Sequence, residues 1–414
     1  MAKRIGAVAF IFVFTSLAWL ILGMSTNLRT SSQDQKLRKE VGQLWGDVQK
    51  QHAPDVFTIE IVRKIQEKWE DGKEVIDTLE TVSHVPTFLD SSSLNVDLHL
   101  EHRKKGLLWY STYVVTFYAK YSFTNRYNKE KGVNFHYPFP VVDGIYDDFM
   151  MKRNGDSVEC LNPVNGKIQS TSTLRPGQQQ TVEISYKSQG SDEWWYIFGE
   201  SVSQIRNFNL TMTTDFDDIN FPENSISPTA KEKTDTGWRL KWDYSNLISG
   251  IQIGMEMPRK LNPGPFVSRV SFFAPVSLFF FFFIIFLITT LKNINLHPMN
   301  YFFIAAAFFA FHLLLAYLVD HVDIHLACAI CSVVSIFLVI SYMRLVVGLR
   351  FALIETGVSQ FVYLVLFSYA FFLEGYTGLA ITISSIVTLF IVMQFTGRID
   401  WTKQKFGTEK KPAR

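Results

Sequence analysis

Residues 270–291 read VSFFAPVSLFFFFFIIFLITTL, a run without a single charged side chain. About 20 apolar residues in a helix rising 1.5 Å each cross the roughly 30 Å of a bilayer's hydrocarbon. The stretch therefore reads as a membrane span, and the chain divides around it. Downstream, four further apolar runs follow closely, near 299–319, 324–347, 351–373 and 376–396. Upstream lies a long polar segment, and before it one more apolar run from about Ile5 to Met24, preceded by Lys3 and Arg4. The basic flank also suits a secretory signal. The run is long for one, however, and Leu22, Gly23 and Met24 form no small-x-small cleavage site, so an uncleaved anchor is the preferred reading.

The connections carry a charge signal. Lys292 and His297 lie between the second and third spans, Arg344 and Arg350 between the fourth and fifth, and the tail from Gly397 to Arg414 holds six Lys/Arg against two acids. The alternate connections carry Asp320, Asp323 and Glu374. Lys and Arg resist translocation, so both termini are expected in the cytoplasm and the long insertion in the periplasm. The lipid bilayer is the first partner implied. A formal net charge of +2 supplies no basic field for nucleic acid. Three cysteines do not make a disulfide framework. Cys160 is alone in the polar part, and Cys328 and Cys331 sit inside an apolar run, where small packing residues are the better reading than a metal or redox pair.

Within the insertion, Leu37, Val41, Leu44, Trp45 and Val48 recur at helical spacing, which predicts an amphipathic helix over 33–50. The period then changes to two. Residues 56–62, 94–100, 112–123, 180–186, 208–213 and 238–242 alternate, with Asn154-Gly155, Asn165-Gly166, Pro176-Gly177 and Gln189-Gly190 as turn signals. Many short alternating strands predict an antiparallel β-sandwich, large or double at this length. Trp194, Trp195, Tyr196 and Phe198 are expected as core aromatics rather than a sugar-binding surface. The expected organisation is an anchor over 1–25, a β-rich periplasmic domain over 26–268, five transmembrane helices over 269–397 and a basic cytoplasmic tail over 398–414.

Several motifs resemble those of the CreD family of inner membrane proteins. In order they are Leu296-His297-Pro298-Met299-Asn300-Tyr301, Phe311-His312-Leu313-Leu314-Leu315 ending in Asp320-His321, then Tyr342, Phe372-Leu373-Glu374-Gly375-Tyr376 and Thr396-Gly397-Arg398-Ile399-Asp400-Trp401. In the insertion, Arg103-Lys104-Lys105-Gly106 leading into Trp109-Tyr110 is also similar. The chain departs from the family pattern at Asp320, Gly375 and Gly397. The resemblance implies a role in cell envelope integrity linked to the β-lactam response, and no known reaction.

The topology would gather Arg269, Asp320, His321, Asp323, His325 and Glu374 at the outer face, where ionisable groups are costly and often functional. His321 and His325 fall one helical turn apart with Asp323 between them, a set zinc could use. Solvated charges capping the fourth span, with Asp323 at the helix N-terminus, are preferred, and no metal or cofactor is expected. His312 and Glu355 are the deepest ionisable groups. A neutral histidine bonded to a neighbouring helix is preferred over a proton relay for the first, and a local ion pair near Arg350 or snorkelling for the second. Arg398, Asp400 and Trp401 read as an interfacial belt. No nucleophile elbow, P-loop, dinucleotide fingerprint or His-Glu-x-x-His motif occurs. The expectation is a non-enzymatic envelope protein whose periplasmic domain binds an envelope protein or glycan. The alternative is a transporter or lipid-handling protein built on the helical bundle.

Overall fold

The computed structural model describes residues 2–70, 73–159, 162–199, 201–373 and 375–397. Among the described residues six helices are long and apolar enough to span a bilayer, and a sheet-rich region lies between the first and the second. They are α1 (Ala2–Trp45), α2 (Pro263–Leu291), α3 (Pro298–Leu318), α4 (Ile324–Val346), a fifth span (Leu349–Phe372) and a sixth (Thr377–Thr396). The chain forms two compact units, one of residues 1–35 with 261–414, the other of residues 36–260.

The amphipathic segment expected over 33–50 is no separate helix. It is the last part of α1, and it stops at Trp45. Gly46 ends it with φ of 87° at a point where a Cβ would lie 2.0 Å from the Gln189 carbonyl oxygen, a conformation and an approach open only to glycine. Residues beyond it turn into strand β1 (Gln49–His52). The final turns of α1 pack on the hairpin of β4 (Ser91–Lys105) and β5 (Leu108–Thr124). Leu37, Val41 and Trp45 meet Leu108 and Tyr110, Arg103 stacks over Trp45, and Lys105 pairs with Glu40. The Arg103–Tyr110 motif therefore has a packing role.

The remaining strands are β2 (Asp55–Glu70), β3 (Lys73–Pro86), β6 (Lys131–Pro138), β7 (Tyr146–Arg153), β8 (Asp156–Ser157), β9 (Lys167–Leu174), β10 (Gln179–Ser191), β11 (Glu193–Ile197), β12 (Ser203–Thr214), β13 (Ala230–Lys233), β14 (Trp238–Ser249) and β15 (Ile253–Glu256). They form an eight-stranded sheet in the order β13-β14-β12-β4-β5-β10-β7-β8, a four-stranded sheet β3-β2-β6-β9 and a three-stranded sheet β1-β11-β15. Pairing is antiparallel except between β4 and β12 and between β1 and β11. One core joins all three sheets. Leu94, Val96, Phe117, Phe123 and Ile184 come from the first, Val56, Phe135 and Tyr137 from the second, and Trp194, Tyr196 and Met255 from the third. This is a β-sandwich with a third, smaller sheet added to it. Phe123 stacks on Phe135 between the two larger sheets at 6.1 Å.

Asn154-Gly155 and Asn165-Gly166 form turns with both residues at positive φ, as hairpin turns require. Gln189-Gly190, expected as a turn, lies instead inside β10, paired with Val114 and Tyr113 of β5. The glycine serves close packing there, because a Cβ at position 190 would meet the Tyr113 hydroxyl at 2.4 Å. Trp194 and Tyr196 are fully buried, as expected of core aromatics.

Candidate functional site

Between α3 and α4 the predicted cluster is divided among separate partners. Asp320 pairs with Arg29 of α1 at 3.3 Å. Asp323 caps α4, its Oδ1 accepting from the His325 and Leu326 amides at 2.9 and 3.4 Å, which satisfies donors the helix leaves open and places a negative charge at its positive end. The His325 ring stacks on Phe372 at 4.5 Å, while His321 and Arg269 are exposed. Among the described residues, no group of three or more His, Cys, Asp or Glu side chains gathers in a metal-binding arrangement. Glu374 lies outside the described residues, as do Arg398, Asp400 and Trp401, and Cys160.

The motif at the start of α3 is used for construction. His297 is the N-cap, its Nδ1 accepting from the Met299 amide at 3.2 Å, and Pro298 occupies the first turn, where no intrahelical donor is required. Tyr342 of α4 donates to Asn300 Oδ1 at 2.9 Å, and Tyr301 is buried edge-on against Phe282. Within the same unit His312 is buried among the rings of Trp19, Phe308 and Phe311, and its Nδ1 lies 3.3 Å from the Phe308 carbonyl of its own helix α3, one turn back, rather than bonding a neighbouring helix as expected. Glu355 pairs with Lys292, not with Arg350. The two intramembrane ionisable residues thus have different, local partners.

Sequence reasoning missed a polar seam deeper in the bundle. Ser335 of α4 donates to the Ala307 carbonyl at 2.7 Å, and buried Gln360 Nε2 donates to Ser335 Oγ at 2.8 Å. The Gln360 carbonyl oxygen and the Thr356 hydroxyl are buried without a partner. Tyr363 donates to Thr388 of the sixth span at 2.9 Å, and Ser277 of α2 bonds the Tyr363 carbonyl. The fifth span that supplies these groups is wound as π-helix over Ala352–Gly357 and Phe361–Leu366. Such segments are rare and concentrate at functional sites. Gln360 was legible as an amide inside an apolar run; the π winding leaves no such mark.

The sheet-rich unit holds a cleft of about 510 Å³ lined by residues of all three sheets. Phe57 of β2 forms one wall, stacked on His84 at 4.6 Å and edge-on to His136 at 4.8 Å. Phe88 and Arg206, the latter over the former at 5.8 Å, line it as well, together with Phe198, and with Lys167 and Asp55 3.5 Å apart. Partial burial holds the His136 imidazole below its ordinary pKa, with Lys167 acting in the same direction and Asp55 against it. The site combines aromatic faces with cations and imidazole rings, a set suited to sugar rings and anionic substituents.

The chain was compared with known proteins. A family model described as "Inner membrane protein CreD" matches residues 1–402. No curated protein matches. A solved structure from Legionella pneumophila, described as a proposed nutrient binding protein, aligns with a TM-score of 0.34 at 11% identity, covering 56% of this chain and 76% of that one.

Proposed function

The chain belongs to the CreD family of inner membrane proteins, and from that premise we propose that it is a non-enzymatic protein of envelope integrity whose β-rich domain binds an envelope glycan or protein. The observation that carries this reading is the Phe57–Phe88 cleft, with His84, His136, Lys167 and Arg206 around it. In the proposed topology both termini are cytoplasmic and residues 26–268 are periplasmic. The support is the basic side chains Lys292, Arg344 and Arg350 in one set of connections and the acids Asp320 and Asp323 in the other. Protease added to spheroplasts is then expected to cut within 26–268 and to spare a C-terminal tag.

The test of function deletes the gene and measures envelope leakage under β-lactam stress, with complementation at matched expression. Wild type is expected to rescue, and the double variant Phe57→Ala, Arg206→Ala to fail. Rescue by that variant, with failure of Asp320→Ala, His321→Ala, Glu374→Ala, would move function to the bundle. The π-wound fifth span and its buried Gln360 favour a second reading, transport or lipid handling by the helices. Solute or proton flux in liposomes, lost in Gln360→Leu, would promote it.

A further inference from the structure

A second cavity, of about 300 Å³, lies in the helical unit. Its walls are Ile284, Leu287, Ile288 and Leu291 of α2 and Ile391 and Val392 of the sixth span, and at one end stand Lys292 and Glu355. Lys292 directly follows the last residue of α2, and Glu355 lies in the first turns of the fifth span. The charged end is therefore at a membrane boundary, and the apolar part extends inward along α2. From Ile284 to Lys292 the helix rises about 12 Å at 1.5 Å per residue. The cleft is thus deep enough for a good part of one acyl chain, while its charges sit where a headgroup would.

The ion pair selects among headgroups. Lys292 and Glu355, the charged side chains of the cavity wall, pair with one another, so the wall presents both signs side by side, with Arg350 also acting on Glu355. Glu355 Oε2 is buried and has no hydrogen-bond partner. A buried acceptor left unmade costs free energy that a donor would recover. The Lys292 ammonium, half-exposed, can meet a phosphate. A phosphoethanolamine headgroup supplies both complements, a phosphate for Lys292 and an N–H donor for Glu355 Oε2. Phosphocholine has the same phosphate and charge but no N–H to donate. Phosphatidylglycerol can donate through its hydroxyls, but these are neutral donors and bring no ammonium to the Glu355 carboxylate.

We propose that the cleft between α2 and the sixth span is a binding site for phosphatidylethanolamine, one acyl chain along Ile284–Leu291 and the headgroup across Lys292 and Glu355. The full-length protein, purified in detergent, is presented with equal amounts of phosphatidylethanolamine, phosphatidylglycerol and phosphatidylcholine of one chain length. Bound lipid is then counted by native mass spectrometry. Phosphatidylethanolamine is expected about tenfold over phosphatidylcholine, the ratio that one charge-assisted hydrogen bond supplies. Glu355→Gln is expected to cut that preference several-fold, and Ile391→Trp, which fills the cleft and leaves the ion pair in place, to reduce binding of all three lipids. Because Glu355→Gln alone could perturb folding, the thermal shift produced by phosphatidylethanolamine is measured on wild type and Ile391→Trp, with loss of the shift expected in the latter. Equal retention of phosphatidylethanolamine and phosphatidylcholine by wild type would overturn the proposal. So would a preference for phosphatidylglycerol, or an undiminished shift in Ile391→Trp.

Discussion

Strand β5 buries Val115, Phe117, Ala119, Tyr121 and Phe123 and turns Thr116 and Lys120 outward, whereas α2 buries Ser268, Ser271, Ala274 and Ser277 and leaves Phe272, Phe273, Phe279 and Phe283 exposed. Both elements are rich in aromatic residues, yet β5 leaves none of them exposed, whereas α2 buries Phe266, Phe281 and Phe282 and turns Phe272, Phe273, Phe279 and Phe283 outward. In water, removing apolar surface from solvent is the main favourable term. Against lipid that term vanishes, since acyl chains are as apolar as Phe, and close approach and interhelical hydrogen bonds decide what faces inward. Leu278 and Phe281 of α2 are buried too, so the rule concerns what else the inner face admits. There Ser268 donates to the Gly23 carbonyl at 2.9 Å and Ser277 bonds the Tyr363 carbonyl. Both cores also bury side-chain hydrogen bonds: in the sandwich Tyr186 donates to Gln51 and Tyr113 to the Glu193 carbonyl, and between the membrane helices Gln360 donates to Ser335.

Three perturbations test this contrast, beginning with the largest. Phe117→Ala is expected to cost the sheet-rich unit about 3–5 kcal/mol, the usual range for deleting a fully buried ring, while Phe279→Ala on the exposed face of α2 stays within about 0.5 kcal/mol. Chemical denaturation of the full chain in detergent, followed by tryptophan fluorescence, measures both. Comparable costs for the two would break the distinction. Next, Gln360→Leu is expected to destabilise the helical unit by about 1 kcal/mol, the scale of interhelical hydrogen bonds in membranes. A stabilised variant would mean that the orphaned Gln360 carbonyl outweighs the bond to Ser335.

The smallest effect is on pH dependence. Burial lowers the His102 and His136 pKa values, so the unfolded chain binds more protons near pH 6 and stability there rises with pH. The sheet-rich unit is therefore expected to lose stability as pH falls through the ordinary imidazole range near 6.5. Thermal melts across pH 5 to 8 check the sign, and His136→Asn should flatten the slope. A stability maximum at pH 5 would contradict it.

Much of the architecture was legible because it depends on local pattern. Uncharged runs located the spans, and period-two alternation located the strands carrying Val96, Phe117, Ile184 and Leu210. Where local pattern misled, long-range packing was responsible. Gln189-Gly190 has turn composition but is held in β10 by Tyr113 across the sheet, and the helix predicted to residue 50 is cut at Gly46 by the Gln189 backbone. The candidate sites were less legible still. Asp320, Asp323 and His325 stand close in sequence, yet Arg29, the α4 amides and Phe372 take one each. Phe57, Phe88 and Arg206 form one cleft from three distant segments.

The sequence by itself determined the six spans, the sandwich-forming alternation and the family, because hydrophobic length, side-chain period and motif order are properties of neighbouring residues. Only the tertiary structure decided that Glu355 answers Lys292 rather than Arg350, that Gln360 reaches Ser335, and that aromatic and basic side chains from β2, β12 and the loop before β4 share a cleft. Those pairings join segments far apart in the chain, and their geometry is fixed by how helices and sheets pack.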